Sequence, residues 1–213
     1  MGHGSGVGDM GAGFFSRGFQ GKRPTIGTEG RIPPGQYLEH GFPVLTAGPT
    51  PRTPLDRWNF RVTGPDGVER RSWDWSAFAA LPHAEITCDI HCVTKWSKLD
   101  THWRGVSVEH LLSGLTAGAT HVIAFCDGGY TTNLPVEAIL GGRAWVADTY
   151  EGAPLEAEHG GPARLLVPAL YLWKSAKWVR GLHLATSDTP GFWESRGYHN
   201  EGDPWKEQRY WND

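Results

Sequence analysis

Strand-like segments outnumber helical ones along this chain, and they do not alternate with helices in the regular order that builds a parallel sheet. In "RWNFRVTG" Trp58, Phe60 and Val62 fall on one side before the turn "GPDG", and in "AEITCDIHC" Ile86, Cys88 and Ile90 share a face. "THVIAFCD", "RAWVADTY", "ARLLVPAL" and "KWVRGLHLAT" supply further strands. Helical periodicity is confined to "SWDWSAFAALP", "VSVEHLLSGL" and "PVEAIL", whose Pro135 suits the first helical position. The expected fold is therefore α+β, with mixed β-sheets and short peripheral helices.

Residues 1–36 are rich in Gly, Pro and Arg without an apolar period, and read as an arm draped over the surface. Residues 37–213 read as a single domain, because a chain of 213 residues suffices for one sizeable core and crowds two. The tail "GFWESRGYHNEGDPWKEQRYW" has neither strand nor helix period, yet its aromatic content argues for order. Long ordered loops of this kind are usually functional.

A formal charge of -3 gives no basic footprint for nucleic acid, and no apolar run approaches the roughly 18 residues of a membrane helix. The glycine-rich start lacks a charged-then-apolar export signal, and three cysteines suit reduced thiols, so the expected location is the cytoplasm. Eleven tryptophans suit either a Trp-rich core or the walls of a deep ligand pocket.

Cys92, in "DIHCVTKWSKLDTHW", sits at or just past the end of a strand. Three chemistries are open to it. As a zinc ligand it has Cys88 and His91 nearby but no second ligand pair downstream. As a hydrolytic nucleophile it needs a base, and His91, its strand neighbour, points to the opposite face. As a soft thiolate it can ligate a transition metal whose other ligands come from a cofactor, which requires an anion-binding site elsewhere.

Such a site is visible in "EHGGPARLLVPALYLWKSAKW". Gly160 and Gly161 let backbone amides approach a ligand closely, while Arg164, Lys174, Lys177 and the Ser175 hydroxyl can grip a phosphate. The alternative is a solvated charged loop at an ordinary strand end.

The succession of "HC" followed by "W", then "CDGG", "HGGPAR" and "KSAKW", from about Arg31 to Trp211, resembles the molybdopterin-binding domain of the sulfite oxidase family. Within it the chain looks most like small bacterial oxidoreductases related to the periplasmic methionine sulfoxide reductase. The resemblance implies a sulfite-oxidase-type fold and a molybdenum-dependent oxidoreductase that passes an oxygen atom to or from a small substrate. Its cofactors would be molybdenum and molybdopterin. Cys92 falls on the family's metal-ligating cysteine, His159 and Arg164 on its cofactor-holding pair, and Ser175, Ala176 and Lys177 on its pterin-binding segment. Asp127, Leu45 and Thr46 match further cofactor contacts, and His91 is placed to touch the cofactor beside Cys92. Tyr198 matches the tyrosine that the family's sulfite-oxidising members set beside the metal. The family's arginine-rich sulfite pocket is only partly matched, since Lys95 stands where an arginine would, and a separate redox partner protein is implied. A carrier of the cofactor without efficient turnover is the alternative reading.

Overall fold

The computed structural model describes Met1 and residues 28–213. Most of the expected arm lies outside the described residues, but its last part is fastened to the domain. Arg31 bridges Asp89 and Asp100 at 2.6 Å each, and Gln36 reaches the carbonyls of Cys92 and Trp96 at 3.0 Å each.

After the two-residue β1 (Tyr37–Leu38) the chain runs to β2 (Asn59–Thr63) and β3 (Glu69–Asp74). Helix α1 (Trp75–Ala79) follows, capped by Asp74, whose carboxylate accepts from the Ala77 backbone N–H at 2.7 Å. Strands β4 (His83–His91) and β5 (Trp96–Ser107) make a long hairpin, and α2 (Val108–Leu112) leads on to β6 (His121–Cys126). Then come β7 (Thr131–Pro135), α3 (Val136–Ile139), β8 (Trp145–Tyr150), β9 (Ala153–Pro154), β10 (Arg164–Leu166) and β11 (Val179–Ala185).

These strands build two mixed sheets with short helices outside them, as the sequence implies. One sheet runs β1-β5-β8-β10, with β4 along β5 and β9 along β8, and only β1–β5 is parallel. The other runs β3-β2-β11-β6-β7, and only β2–β11 is parallel. The main core takes Phe60, Val62, Val122 and Leu182 from the second sheet and Val106, Val146 and Leu165 from the first. A smaller cluster of Ile86, Ile90, Trp96, Trp103 and Leu166 contains Cys92 itself. Each such side chain gains roughly 1.5–3 kcal/mol on burial, so the position of Cys92 is set by packing as well as by its loop.

Three strands escape the apolar periodicity. β5 carries Lys98, Asp100, His102 and Arg104, and is held as a strand by β4 on one side and β8 on the other. β3 is an exposed edge, where the pattern relaxes, whereas the edge strand β7 is covered and buries polar Thr132 and Asn133 on Glu194 and Asp188. Pro135 is a correction: it ends β7 and precedes α3 instead of opening the helix. An edge strand tolerates its missing N–H.

Candidate functional site

The turn between β4 and β5 presents Cys92. Its N–H donates to the Trp96 carbonyl at 2.8 Å, and the Lys95 N–H returns to the Cys92 carbonyl at 3.0 Å, with Lys95 in the left-handed region at φ 74°. Gln36 clamps this turn from the side, and Arg209 of the tail donates to the Gln36 side-chain carbonyl at 3.1 Å. The turn is therefore held by segments from both ends of the domain. Burial pushes the Cys92 thiol up, opposed by hydrogen bonding from Thr94 and by the charges of Lys177 and Arg164.

Opposite the sulfur lies a buried cation. Arg164, only 1% exposed, donates to the carbonyls of His159 at 2.9 Å and Ser175 at 2.7 Å. No carboxylate among the described residues pairs with it, and burial lowers its pKa to about 10. The Lys177 ammonium likewise hydrogen-bonds to carbonyls, those of Leu45 at 2.9 Å and Glu158 at 2.7 Å, and lies 5.5 Å over the Trp178 ring, with no carboxylate among the described residues paired to it. Burial, and then the charge of Arg164, lower it to about 8. The His159 ring stacks on Phe42 at 4.1 Å, and its Nδ1 is buried without a partner. Glycine is required at position 160, where φ is 109° and an added Cβ would lie 3.0 Å from both Arg164 Cβ and Lys177 Cα.

Between the sulfur and these cations is a cavity of about 280 Å³. Its walls are largely aromatic: Phe42, Trp96, Tyr130, Trp173, Trp178, Trp193 and Tyr198 line it. The Tyr130 hydroxyl is committed, donating to the Trp173 carbonyl at 2.6 Å. The Tyr198 ring is held edge-on by Trp173 at 5.2 Å and tilted against Trp193 at 4.9 Å. Burial, then Tyr210 and Cys92, push its pKa up.

Of the residues singled out in the sequence, Cys92, Tyr198, Leu45, Thr46, Arg164, Ser175, Ala176 and Lys177 come together on this lining. His159 stands behind Phe42. The structure places the other three elsewhere. Lys174 is a correction to the expected phosphate grip: it is fully buried, donating to Glu194 at 2.7 Å and to the Asn133 carbonyl at 2.7 Å. Asp127 pairs with Arg180 at 3.2 Å and accepts from the Thr53 hydroxyl. The His91 ring bonds to Ser97 at 2.8 Å and packs edge-on to Trp205, with burial lowering its pKa to about 4. Sequence reading misses Gln36, Phe42, Thr94, Tyr130 and Trp173. Tyr130 and Trp173, adjoining the quoted "CDGG" and "KSAKW", and Thr94, two residues after Cys92, lay beside motifs already singled out, whereas Gln36 and Phe42 did not.

Among the described residues no three His, Cys, Asp or Glu side chains converge to hold a metal ion. A metal at Cys92 must therefore bring its other ligands with it. The donor set fits a soft metal on an anionic organic group. One thiol opens on the cavity, two cations without carboxylates face it, and an imidazole nitrogen waits for a partner.

Comparison with known proteins agrees. Residues 47–193 match the family model described as "Oxidoreductase molybdopterin binding domain". The chain is 41% identical to the oxidoreductase YuiH of Bacillus subtilis over 89% of its own length and 97% of that protein. It is 27% identical to an Azospira oryzae protein named as a protein-methionine-sulfoxide reductase subunit, YedZ1, over 62% of its own length and 50% of that protein. Among solved structures, the sulfane dehydrogenase SoxCD of Paracoccus pantotrophus shares the fold with a TM-score of 0.59 at 17% identity, covering 70% of this chain and 42% of that one. With a family match across most of the domain and a relative matched along nearly its whole length, the chain belongs to the oxidoreductase molybdopterin binding domain family, that of the sulfite oxidases, and is an oxidoreductase of that family.

Proposed function

We propose that the cavity holds a mononuclear molybdopterin cofactor, tied to the protein through the Cys92 thiolate, and that the chain uses it for two-electron oxygen-atom transfer to or from a small substrate. The observation that carries this reading is Arg164: a fully buried guanidinium facing a cavity, with carbonyls and the rings of Phe42 and Trp103 around it but no carboxylate among the described residues. Leaving such a charge uncompensated costs several kcal/mol, and an anionic pterin phosphate offsets that cost. Lys177 and the Ser175–Ala176 segment, which line the cavity, are its further contacts, and the His159 ring, stacked on Phe42 beside it, would supply another.

When bound, the cofactor supplies the metal couple and the oxygen-atom chemistry; the chain supplies the rest. Arg164 and Lys177 neutralise the anion and orient it relative to Cys92. The walls formed by Trp173, Trp178 and Trp193 exclude water and strengthen each polar contact inside. The Tyr198 hydroxyl has no hydrogen-bond partner among the described residues, and its raised pKa keeps it protonated through neutral pH. It is the group available to donate a hydrogen bond to the oxygen of a bound substrate.

Substrates in view are sulfoxides, N-oxides and sulfite-like anions. The cavity favours neutral ones: its two cations belong to the cofactor, and Lys95 does not line it. Electrons are exchanged with a separate redox protein, and the cytoplasm is the proposed location. Among the described residues no helix is long and apolar enough to cross a membrane.

Metal analysis of protein expressed with ample molybdenum, followed by turnover with aryl and alkyl sulfoxides, amine N-oxides and sulfite, tests this. The expected result is stoichiometric molybdenum, lost in Cys92→Ser, with faster reoxidation by neutral donors than by anions. Tyr198→Phe should lower kcat about tenfold, the effect of roughly 1.4 kcal/mol. Protein free of molybdenum despite ample supply would overturn the reading, and cofactor inert to every donor and acceptor would make the chain a carrier.

A further inference from the structure

The turn that presents Cys92 aims a second polar group at the same sulfur. Thr94 Oγ1 lies 3.1 Å from Cys92 Sγ with its hydroxyl as donor, and it makes no other hydrogen bond among the described residues. The placement follows from the turn itself. With the Cys92 N–H on the Trp96 carbonyl and Lys95 in the left-handed region, the chain doubles back and sets residue 94 over the side chain of residue 92. The Thr94 hydroxyl and backbone N–H both favour a negative sulfur, against the burial that disfavours it. Thr94 also lines the cavity, so the contact is made where a metal would bind.

A thiolate's donor strength falls when it accepts hydrogen bonds, and in metal sites hydrogen bonds to the ligating sulfur tune the reduction potential. We propose that Thr94 is a positioning residue for the Cys92 ligand, fixing the sulfur toward the cavity and drawing electron density from it so that the reduced metal is favoured. This rests on the cofactor reading above. Nothing in the segment "HCVTKWS" marks Thr94 in isolation; only the fold of the turn brings its hydroxyl to the sulfur.

Two variants test it: Thr94→Val removes the hydroxyl at nearly constant shape, and Thr94→Ser keeps it. In the holoenzyme, Thr94→Val is expected to lower the midpoint potential by about tenfold in the reduced-to-oxidised ratio at fixed poise, about 30 mV for a two-electron couple. Thr94→Ser should stay at the wild-type value. In cofactor-free protein at one fixed pH, iodoacetamide labelling of Cys92, read on its peptide by mass spectrometry, should slow several-fold in Thr94→Val and not in Thr94→Ser. Should Thr94→Val fail to fold, Thr94→Ala carries the same expectations. Potential and labelling both unmoved at normal metal content, or a serine variant behaving as valine does, would overturn the role of Thr94. Metal content that survives Cys92→Ser would instead overturn the ligation beneath it, so the two failures are distinguishable.

Discussion

Arg164 and Lys174 lie ten residues apart, are both fully buried, and meet opposite surroundings. Lys174 has a carboxylate of its own, Glu194 at 2.7 Å, which also accepts from the Trp173 indole at 2.9 Å and the Thr132 hydroxyl at 2.7 Å. Arg164 has carbonyls for hydrogen-bond partners and the rings of Phe42 and Trp103 at 5.9 and 5.6 Å, but no carboxylate among the described residues. A buried ion pair is complete without a ligand; a buried cation among carbonyl dipoles keeps a net charge that only an incoming anion can neutralise. The first arrangement ties the tail to β7 and to the loop after β10, and the second marks the proposed cofactor site. Burial by itself therefore does not identify a functional charge. The partner does.

The largest effect expected from this contrast is in Lys174→Met, which strands the Glu194 carboxylate. Its Oε2 is already buried without a partner. Breaking such a pair should cost about 3–5 kcal/mol in denaturant titration of the cofactor-free protein, and adding Glu194→Leu should recover much of it.

Arg164→Met should behave differently. No carboxylate is stranded, so the stability loss should fall well short of that in Lys174→Met, while cofactor retention, read as metal content after dialysis, drops more than about tenfold, a loss above roughly 1.4 kcal/mol. Equal destabilisation by the two variants would break the comparison.

His159→Phe sharpens it further. The substitution keeps the stack on Phe42 and removes a buried nitrogen that lacks a partner, so the cofactor-free protein should gain about 1 kcal/mol. Cofactor affinity should fall about fivefold, since a net hydrogen bond is worth roughly that. A stability loss in the empty protein would show that Nδ1 has a structural partner.

The smallest effect is a slope with pH. The folded-state pKa of Lys177 is lowered to about 8 from the ordinary lysine value of 10.5. The unfolded chain thus binds more protons between these values, and stability of the cofactor-free protein rises with pH across that window. Anion capture changes the other way, weakening as Lys177 loses its proton. Thermal unfolding and cofactor uptake, each compared with Lys177→Met, should show both trends only when the lysine is present.

Much of the fold was legible locally. Trp58, Phe60 and Val62 alternate and are all buried, and Cys92 does follow the strand ending at His91. β5 was not legible, because its charged residues take strand form only by pairing with β4 and β8. The site divides in the same way. "HGGPAR" announces itself through glycine and the spacing to Arg164, whereas Gln36 and Arg209 act on the Cys92 turn from positions that share no sequence pattern with it.

By itself the sequence determined where a thiol follows a strand, where glycines let the backbone close in, and which short runs could be strands; these depend on backbone sterics and side-chain period within a few residues. Tertiary structure decided which of two lysines flanking Ser175 serves the cavity. Lys174 and Lys177 are three residues apart in an irregular loop, and nothing local distinguishes them. Glu194 arrives from the tail to neutralise the first and leaves the second facing the space beside Cys92. Electrostatic pairing acts through space, and only the folded chain brings the charges within reach of one another.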